Sequence, residues 1–152
     1  MFEEKVRVYK VRPTAKLPRR AHPADAGMDF FFAPENRDPV FVDPGQSKIL
    51  GTGIKMQVPS GYMLQIMNKS GVAAKRSLVT GACVVDQGYT GEIFVNLHNI
   101  GTETQMLEPG VKLAQGVFIE VLKPELVEVK EDNIYGKSTD RGAGALGSTG
   151  ST

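Results

Sequence analysis

The sequence is poor in the residues that cross-link small secreted domains and build metal centres. Among its 152 residues there is one cysteine, Cys83, with two histidines and no tryptophan. A single cysteine excludes a disulfide within the chain, and so few Cys and His ligands argue against a structural zinc site. Neither sign of charge dominates, because the formal net charge is +1. A nucleic-acid binder that relies on a broad basic surface is therefore not expected.

Long hydrophobic runs are also missing. No stretch approaches the length of a membrane span, and the opening residues, MFEEK, lack the apolar core of a signal peptide. Hydrophobic residues make up 41% and charged residues 23% of the chain, as in ordinary globular proteins. A chain of this length can bury the core of one domain. We therefore expect an intracellular, globular protein.

Apolar and polar residues alternate over short stretches that glycine and proline separate. This pattern is typical of strands in an all-β sandwich, jelly roll or barrel. We expect strands at residues 5–11, 28–33, 40–42, 48–54, 62–67, 78–85, 93–98 and 111–121. Only residues 70–76 are predicted to form a helical turn or two, for which Ser70 is a candidate cap.

The chain changes character near residue 132. Residues 1–132 carry the β pattern, whereas residues 133–152, which we call the arm, are rich in Gly, Ser and Thr. Within the arm, RGAGALGSTG at 141–150 contains four glycines, two hydroxyls and an arginine. Backbone N–H groups of such turns bind anions, and Arg141 adds planar donors suited to phosphate. We expect the arm to close over a polyphosphate; the alternative is a solvated terminus without a ligand.

Polar residues also interrupt the β pattern at four points before the arm. Asp29 stands at the start of a strand, and Ser70 stands at the junction of a strand and the short helix. Asp86 and Tyr89 flank a turn, and Gln115 lies in an otherwise apolar strand. Each residue alone also fits a structural role in a cap, a turn or a backbone hydrogen bond. Only their combination points to a ligand.

In their order along the chain, five motifs resemble those of the trimeric dUTP pyrophosphatases (dUTPases). They are AGMDF at residues 26–30, KSG at 69–71, VVDQGYTGE at 84–92, GVKLAQ at 110–115 and the glycine-rich sequence at 141–150. Together they span nearly the whole chain. Ordered motifs at suitable spacings are far more specific than any single short motif.

The resemblance implies both a fold and a reaction. The fold is a jelly-roll-like β protomer that works as a homotrimer, in which each active site lies between subunits and the arm closes a neighbour's site. The reaction is hydrolysis of dUTP to dUMP and pyrophosphate with Mg²⁺, which limits uracil in DNA and supplies dUMP for thymidylate synthesis. No nucleic acid or membrane is implied as a partner, and the expected location is the cytoplasm, or the host cell for a viral protein.

The resemblance also implies roles for individual residues. Asp86 corresponds to the base that orients and deprotonates the attacking water. Asp29 corresponds to a residue that acts through water on the metal shell, while Mg²⁺ is held mainly by the substrate phosphates. Tyr89 corresponds to the ring against the deoxyribose. The other implied contacts are Ser70, Gly71 and Gln115 with the phosphate chain, Arg141, Ser148 and Thr149 with its γ end, and Lys69, Cys83, Val85, Leu146 and Gly147 elsewhere in the substrate site.

Three positions depart from the usual motifs of that family. Lys69 stands where arginine is usual, which keeps the charge but loses the two-pronged donor geometry. Leu146 stands where an aromatic residue usually stacks on uracil, and leucine offers apolar contact without a π face. Cys83 stands at a usually small position close to where the pyrimidine edge is read. The changes at Leu146 and Cys83 lie where the family binds the base, so the departures mainly affect the expected discrimination between bases.

Two other functions fit parts of the pattern. A dCTP deaminase-like enzyme of the same superfamily would share the third and fourth motifs, but it carries a glutamate inside the strand after the third motif. Here Glu92 belongs to the turn, and residues 93–97, IFVNL, contain no acid. A nucleotide-responsive regulatory protein on the same fold would engage a partner without turnover. The presence of Asp86, Ser70, Gln115 and Arg141 together favours an enzyme.

Overall fold

The computed structural model describes residues 5–150. The chain divides into two compact units: the β unit, which ends at Leu122, and the C-terminal unit, which begins at Lys123. One α-helix, α1 (Ser70–Arg76), is described in the β unit. The strands in chain order are β1 (Val8–Lys10), β2 (Met28–Phe31), β3 (Val40–Val42), β4 (Ser47–Gly51), β5 (Ile54–Met56), β6 (Tyr62–Met67), β7 (Leu78–Thr80), β8 (Val84–Val85), β9 (Phe94–Asn99), β10 (Gln105–Leu107) and β11 (Lys112–Glu120).

Antiparallel sheets build the β unit. Strands β2, β11, β6 and β8 lie side by side in that order, and β4, β9 and β7 form a second sheet. Strand β1 pairs with β5, and β10 pairs with β3, as two-stranded ribbons. Because one short helix is the only α-helix in the described residues, the predicted all-β class is confirmed.

Both larger sheets contribute apolar side chains to one core. Leu64 on β6 and Val95 and Leu97 on β9 are each 0% exposed. Along β9 these buried residues alternate with more exposed ones, which is the period of a strand with one face in the core. Full burial of each such side chain contributes about 1.5–3 kcal/mol, so the core fixes how the sheets face each other.

Residues 78–85, which were predicted as one strand, form two. Strand β7 pairs with β9, whereas β8 pairs with β6, so the chain passes from one sheet to the other at residues 81–83. A Cβ atom at Gly81 would collide with the Asn96 and His98 side chains, and glycine permits this close passage. The prediction of one strand was wrong because hydrophobic alternation does not reveal a change of sheet.

Three further elements differ from the sequence prediction. Residues 5–11 yield only β1, whose three residues are all exposed, and of the alternating valines Val6, outside β1, packs against the core. The stretch 48–54 is divided by Gly53, which has a φ of 68°, and β5 begins after it. Strand β10 was not predicted, because it buries only Leu107 and gives almost no periodic signal.

The short helix lies where it was predicted, but Ser70 is not its cap. Lys69 holds the N-cap position with an extended backbone and without a side-chain hydrogen bond to the helix, and Ser70 is the first helical residue. At the other end the Ser77 backbone, with a φ of 52°, donates to the Ala73 carbonyl at 3.1 Å. The helix is therefore ended by a left-handed residue, and the Lys69 side chain is left to point elsewhere.

The C-terminal unit begins earlier than the composition boundary at residue 132. Residues 123–130 form no strand and are exposed, although they include apolar side chains such as Leu126 and Val127. A 3₁₀ turn follows at Glu131–Asn133. Within residues 5–150, no helix has the length and apolar character needed to cross a membrane.

Candidate active site

Strand pairing brings together residues of the first, second and fourth motifs. In the four-stranded sheet, Gln115 on β11 lies opposite Asp29 on β2 on one side and opposite Met67 on β6 on the other. Lys69 follows β6 by two residues. One end of this sheet therefore collects a carboxylate, an amide and a cation that are far apart in the sequence.

Asp29 is the buried charge at this end of the sheet. It is 3% exposed, and its Oδ1 atom lies 2.7 Å from Lys69 Nζ while Oδ2 lies 2.9 Å from Lys112 Nζ. Burial alone would raise the pKa of Asp29, but the contacts and positive charges of Lys69 and Lys112 outweigh burial and hold that pKa below its ordinary value. We call these three residues the Asp29 cluster.

A bulge in β11 puts Lys112 into the cluster. Lys112 pairs with Phe31 and Gln115 pairs with Asp29, so three steps on β11 match two steps on β2, and the register shifts between Lys112 and Ala114. In a regular strand, residues three apart face opposite sides. The extra residue reverses that parity, so Lys112 shares the face of Asp29.

The amide of Gln115 is fixed by its neighbours. Its Nε2 donates to the Asn68 carbonyl at 2.9 Å, and the Asn68 side chain accepts from the Thr80 backbone at 2.8 Å. A Cβ atom at Gly27 would overlap the Gln115 side chain, with Cδ only 2.8 Å away. The glycine of the first motif therefore makes room for the glutamine of the fourth.

The third motif forms a separate structure, which we call the 86–92 turn. The Tyr89 backbone donates to the Asp86 carbonyl at 3.1 Å, and the Tyr89 hydroxyl donates to the Glu92 carbonyl at 2.7 Å. The ring folds over Gly91 so closely that a Cβ there would lie 2.5 Å from the hydroxyl oxygen. Asp86 itself is exposed.

An ion pair anchors this turn to the β unit. Both Nη atoms of Arg12 contact the Glu92 carboxylate at 2.7–2.9 Å, and the Gly53 backbone donates to the same carboxylate at 2.6 Å. The side chains of Arg12 and Glu92 are each 13% exposed. Two parallel N–H donors on one carboxylate fix orientation as well as charge, so the end of the turn is held rigidly.

A small cleft adjoins the 86–92 turn. Its volume is about 180 Å³, and its lining includes Cys83, Val85, Asp86 and Tyr89. Sites for a whole small ligand are roughly 300–1,000 Å³, so this cleft suits one ring of a larger ligand. Strand β8 is the outer strand of its sheet, and an outer strand presents backbone N–H and C=O groups that its own sheet does not pair.

The two groups of residues lie at opposite ends of β6 within one chain. Val85 pairs with Leu64, so Asp86 lies near the start of β6, while Gln115 pairs with Met67 at its end. Asp86 lies one residue beyond Val85, so four strand steps, a rise of about 13 Å, separate it along β6 from Gln115. The structure therefore brings Lys69, with Asp29 and Gln115, into one group and leaves Asp86 outside it.

The arm residues form a series of turns in the C-terminal unit. Backbone donors run from Gly144 to the Arg141 carbonyl, from Ser148 to the Ala145 carbonyl and from Gly150 to the Gly147 carbonyl, at 3.0–3.1 Å. Gly147 and Gly150 have φ values of 79° and 89°, which favour glycine. Leu146 is fully exposed at 104%, and its neighbours Ser148 and Thr149 are exposed too.

Sequence reasoning missed the contributions of Lys112 and Arg12. Lys112 lies inside the fourth motif, three residues before Gln115. Regular alternation along β11 would place these two side chains on opposite faces, and the sequence gives no sign of the bulge that brings Lys112 to the face of Asp29. Arg12 lies 80 residues from Glu92, and no local pattern connects them. Strand pairing is needed to identify Lys112, and Arg12, which lies outside the strands, is identified only by the tertiary structure.

The described residues do not fit a metal ion held by the protein itself. No group of three His, Cys, Asp or Glu side chains converges anywhere within residues 5–150. Asp29 is buried, and each of its oxygens faces an ammonium group, which would repel a nearby cation. The expected contact of Asp29 with a metal shell stays a prediction.

Comparison with solved structures identifies close relatives of this fold. A mutant dUTPase of Staphylococcus bacteriophage 80alpha, with dUpNHpp, is 25% identical with a TM-score of 0.86, covering 96% of this chain and 98% of that one. A mutant dUTPase from phage phi11 of S. aureus, described with a coordinated structural Mg(II) ion, is 27% identical with a TM-score of 0.77 and covers 84% and 98%. The expected jelly-roll-like fold is confirmed by this likeness.

Sequence comparison gives the same answer over nearly the full length. The deoxyuridine 5'-triphosphate nucleotidohydrolase of Clostridium acetobutylicum is 38% identical over 147 residues, which are 95% of this chain and 96% of that protein. The family model named dUTPase matches residues 14–150. The chain therefore belongs to the dUTPase family.

Proposed function

We propose that this protein hydrolyses dUTP to dUMP and pyrophosphate. The observation that carries the proposal is the Asp29 cluster with Gln115 beside it, because a buried carboxylate that gathers two amines next to a fixed amide is suited to a phosphate chain. A dUTPase family match over residues 14–150 agrees with that chemistry. The product dUMP would serve thymidylate synthesis, and removal of dUTP would limit uracil in DNA.

The phosphate chain is assigned to the first, second and fourth motifs. Ser70, the Gly71 backbone and the Gln115 amide supply neutral donors, and Lys69 supplies positive charge. Fixed donors stabilise the charge that develops on phosphate oxygens in the transition state without reorganising at that moment. Anchoring of Gln115 through Asn68 and Gly27 supports this role, since a donor already in position is the most effective kind.

Asp86 is assigned as the general base. It removes a proton from a water molecule, whose oxygen attacks the α-phosphorus; the bond from that phosphorus to the bridging oxygen breaks, and pyrophosphate leaves. The exposed carboxylate at the start of the 86–92 turn supports this assignment, because water reaches it freely. Tyr89, fixed through its hydroxyl to the Glu92 carbonyl, is assigned to the face of the deoxyribose.

The uracil is assigned to the cleft beside β8. The unpaired outer edge of that strand offers backbone donors and acceptors for the pyrimidine edge, and Cys83 and Val85 line the cleft. Its size suits one ring rather than a nucleotide. Leu146 of the arm is assigned to cover the base by apolar contact, with Arg141, Gly147, Ser148 and Thr149 on the phosphates.

The separation of Asp86 from Gln115 supports a homotrimer with shared sites. Asp86 must reach the α-phosphorus that Ser70 and Gln115 bind, yet β6 separates them by about 13 Å within one chain. A neighbouring copy could place its 86–92 turn against the Asp29 cluster of the first. We therefore propose that each site combines residues of different subunits, closed by an arm.

Magnesium is assigned to the substrate rather than to a protein site. The Asp29 cluster carries excess positive charge, and residues 5–150 contain no converging set of three metal ligands. Mg²⁺ often binds through one or two carboxylates and the phosphates of a nucleotide. We propose that dUTP brings the ion on its phosphate chain.

The dCTP deaminase-like alternative is disfavoured by Glu92. Its carboxylate receives two guanidinium donors and a backbone N–H, so it is not placed to carry protons to a base. Strand β9 offers no acid in its interior. Hydrolysis at phosphorus remains the better fit.

Incubation with dUTP, dCTP, dTTP and UTP in the presence of Mg²⁺, followed by separation of products, tests the proposal. We expect pyrophosphate and dUMP from dUTP alone. Appearance of dUTP from dCTP would support the deaminase, and absence of turnover with all four nucleotides would support a regulatory protein. Either of these results would overturn the proposal.

A further inference from the structure

We propose that Lys112 is a second phosphate-binding cation of the active site and that Asp29 is the residue that positions it together with Lys69. The inference rests on the proposed function, and it adds a residue to which neither the motifs nor the family match assigns a role. It starts from the convergence of two amines on one buried carboxylate.

The first step is the geometry of the Asp29 cluster. Lys69 comes from the end of β6 and Lys112 from the bulge in β11, and each contacts a different oxygen of Asp29, at 2.7 and 2.9 Å. Among the described residues, the buried Oδ2 atom accepts no hydrogen bond of regular geometry, and Lys112 contacts it as an ion pair. The carboxylate therefore fixes the distance between two amines that the chain brings from separate strands.

The second step is the charge. One carboxylate faces two ammonium groups, so one positive charge is in excess at the mouth of the cluster. Asp29 is buried, but the side chains of Lys69 and Lys112 are 28% and 42% exposed. Each ammonium carries three N–H donors, and contact with Asp29 occupies at most one of them. The excess charge therefore lies on the side from which a ligand can approach.

The third step concerns the arginine that Lys69 replaces. A guanidinium presents two parallel donors to a phosphate, whereas a single ammonium is a point charge on a flexible stem. Two ammonium groups held on the two oxygens of one carboxylate restore a pair of donors with a fixed spacing. Lys112 thus compensates for what Lys69 lacks, and Asp29 reduces the freedom of both stems.

A purely structural role for Lys112 makes a different prediction. If Lys112 served only to neutralise Asp29, its loss would lower stability, because breaking a buried ion pair leaves a charge without compensation. Removal of Lys112, however, leaves the Asp29–Lys69 pair intact and electrically neutral. Loss of this positive charge should therefore mainly weaken the binding of an anionic ligand.

The test measures polyphosphate binding by the full chain. Inorganic tripolyphosphate is titrated calorimetrically into wild type, Lys112→Met and Lys112→Arg, with Lys10→Met as a control for loss of an exposed lysine on β1. We expect Lys112→Met to raise the Kd about tenfold, since it removes one charged hydrogen bond. Lys112→Arg and Lys10→Met should remain near wild type, and the defect should shrink at high salt.

Kinetics with dUTP separate this inference from the proposed function. We expect Lys112→Met to raise KM for dUTP by a similar factor while changing kcat less. A modest fall in Tm accompanies it, because the buried Oδ2 atom loses its cationic contact. If wild type fails to hydrolyse dUTP but Lys112 still governs tripolyphosphate binding, the proposed function fails and the cation role stands. Wild-type affinity for tripolyphosphate in Lys112→Met would overturn the inference, as would failure of Lys112→Arg to restore binding in a folded protein.

Discussion

The Asp29 cluster and the 86–92 turn each contain a carboxylate paired with cations, but the two pairs are built differently. Glu92 meets one arginine through two parallel donors, and both side chains are only 13% exposed. Asp29 meets two lysines from different strands, and both lysines are partly exposed. We call the Arg12–Glu92 pair the closed pair, because both charges are largely shielded from solvent. We call the Asp29 cluster the open cluster, because its two ammonium groups remain accessible to a ligand.

This difference shows how the same type of contact serves two purposes. A closed bidentate pair satisfies its own donors and acceptors, so it fixes the backbone that carries it, here the end of the turn that holds Asp86 and Tyr89. An open cluster leaves donors for a ligand. Distance alone does not distinguish them, because the shortest contact in each is 2.7 Å.

The largest expected effect comes from the third carboxylate, Asp86, which has no role in either pair. Asp86→Asn should lower kcat for dUTP by about 10²–10⁴-fold, because it removes the general base while nearly preserving shape. Stability and tripolyphosphate binding should stay near wild type. Asp25→Asn, at another partly exposed carboxylate, is the control. Near-normal turnover by Asp86→Asn would show that the turn does not supply the base.

The next prediction asks whether the two regions act across subunits. Asp86→Asn impairs the turn and Gln115→Ala impairs the phosphate region. If the protein forms the proposed trimer with shared sites, mixed trimers contain some sites with both regions intact. Co-expression in equal amounts should recover about a quarter of wild-type activity, as expected for random assembly of a symmetric ring. Activity no greater than that of the separate variants would mean that each site lies within one chain.

A stability measurement tests the closed pair. Arg12→Met leaves the Glu92 carboxylate without its cation, which should cost about 3–5 kcal/mol of unfolding free energy. Thermal unfolding at fixed protein concentration should show the loss as a lower Tm. Replacement of His22 by Ala, which breaks an exposed contact with Asp25, should change Tm little. A small effect of Arg12→Met would show that Gly53 and the backbone suffice to hold the turn.

The smallest expected effect is the pH dependence of the open cluster. Because the pKa of Asp29 is lower in the folded protein than in the unfolded chain, its contribution to stability is present above the unfolded value and is lost as pH falls through the folded value. Asp29→Asn should therefore destabilise the protein at pH 7 by about 1–3 kcal/mol, and the difference from wild type should narrow toward pH 3. Urea unfolding across this pH range measures the difference in unfolding free energy between the two proteins. A difference that does not change with pH would contradict a stabilising role for the Asp29 charge.

Some parts of the fold were readable from the sequence because their causes are local. The strand at Tyr62–Met67 and the helix at Ser70–Arg76 have the predicted bounds, since turn residues and hydrophobic periodicity mark them directly. The division of residues 78–85 at Gly81 was not readable, because it depends on side chains of β9. Its signal lies in another strand.

The candidate site divides in the same way. The sequence indicated Asp29, Ser70, Asp86, Tyr89 and Gln115 as a set, because their motifs keep a fixed order. Their grouping could not be read from that order. The structure collects Asp29 and Gln115 at one end of a sheet and leaves Asp86 at the other end of β6.

By itself, then, the sequence determined the all-β class, the family and the kinds of side chain available for chemistry, because alternation, turn residues and short motifs are properties of neighbouring residues. Only the tertiary structure decided that Lys112 joins Asp29 and that Arg12 holds Glu92. The first contact depends on the register and bulge of β11 against β2, and the second joins two residues outside the strands that are 80 positions apart in the sequence. A shift of one residue in the pairing register of β11 would place Lys112 on the opposite face of the sheet and separate it from Asp29.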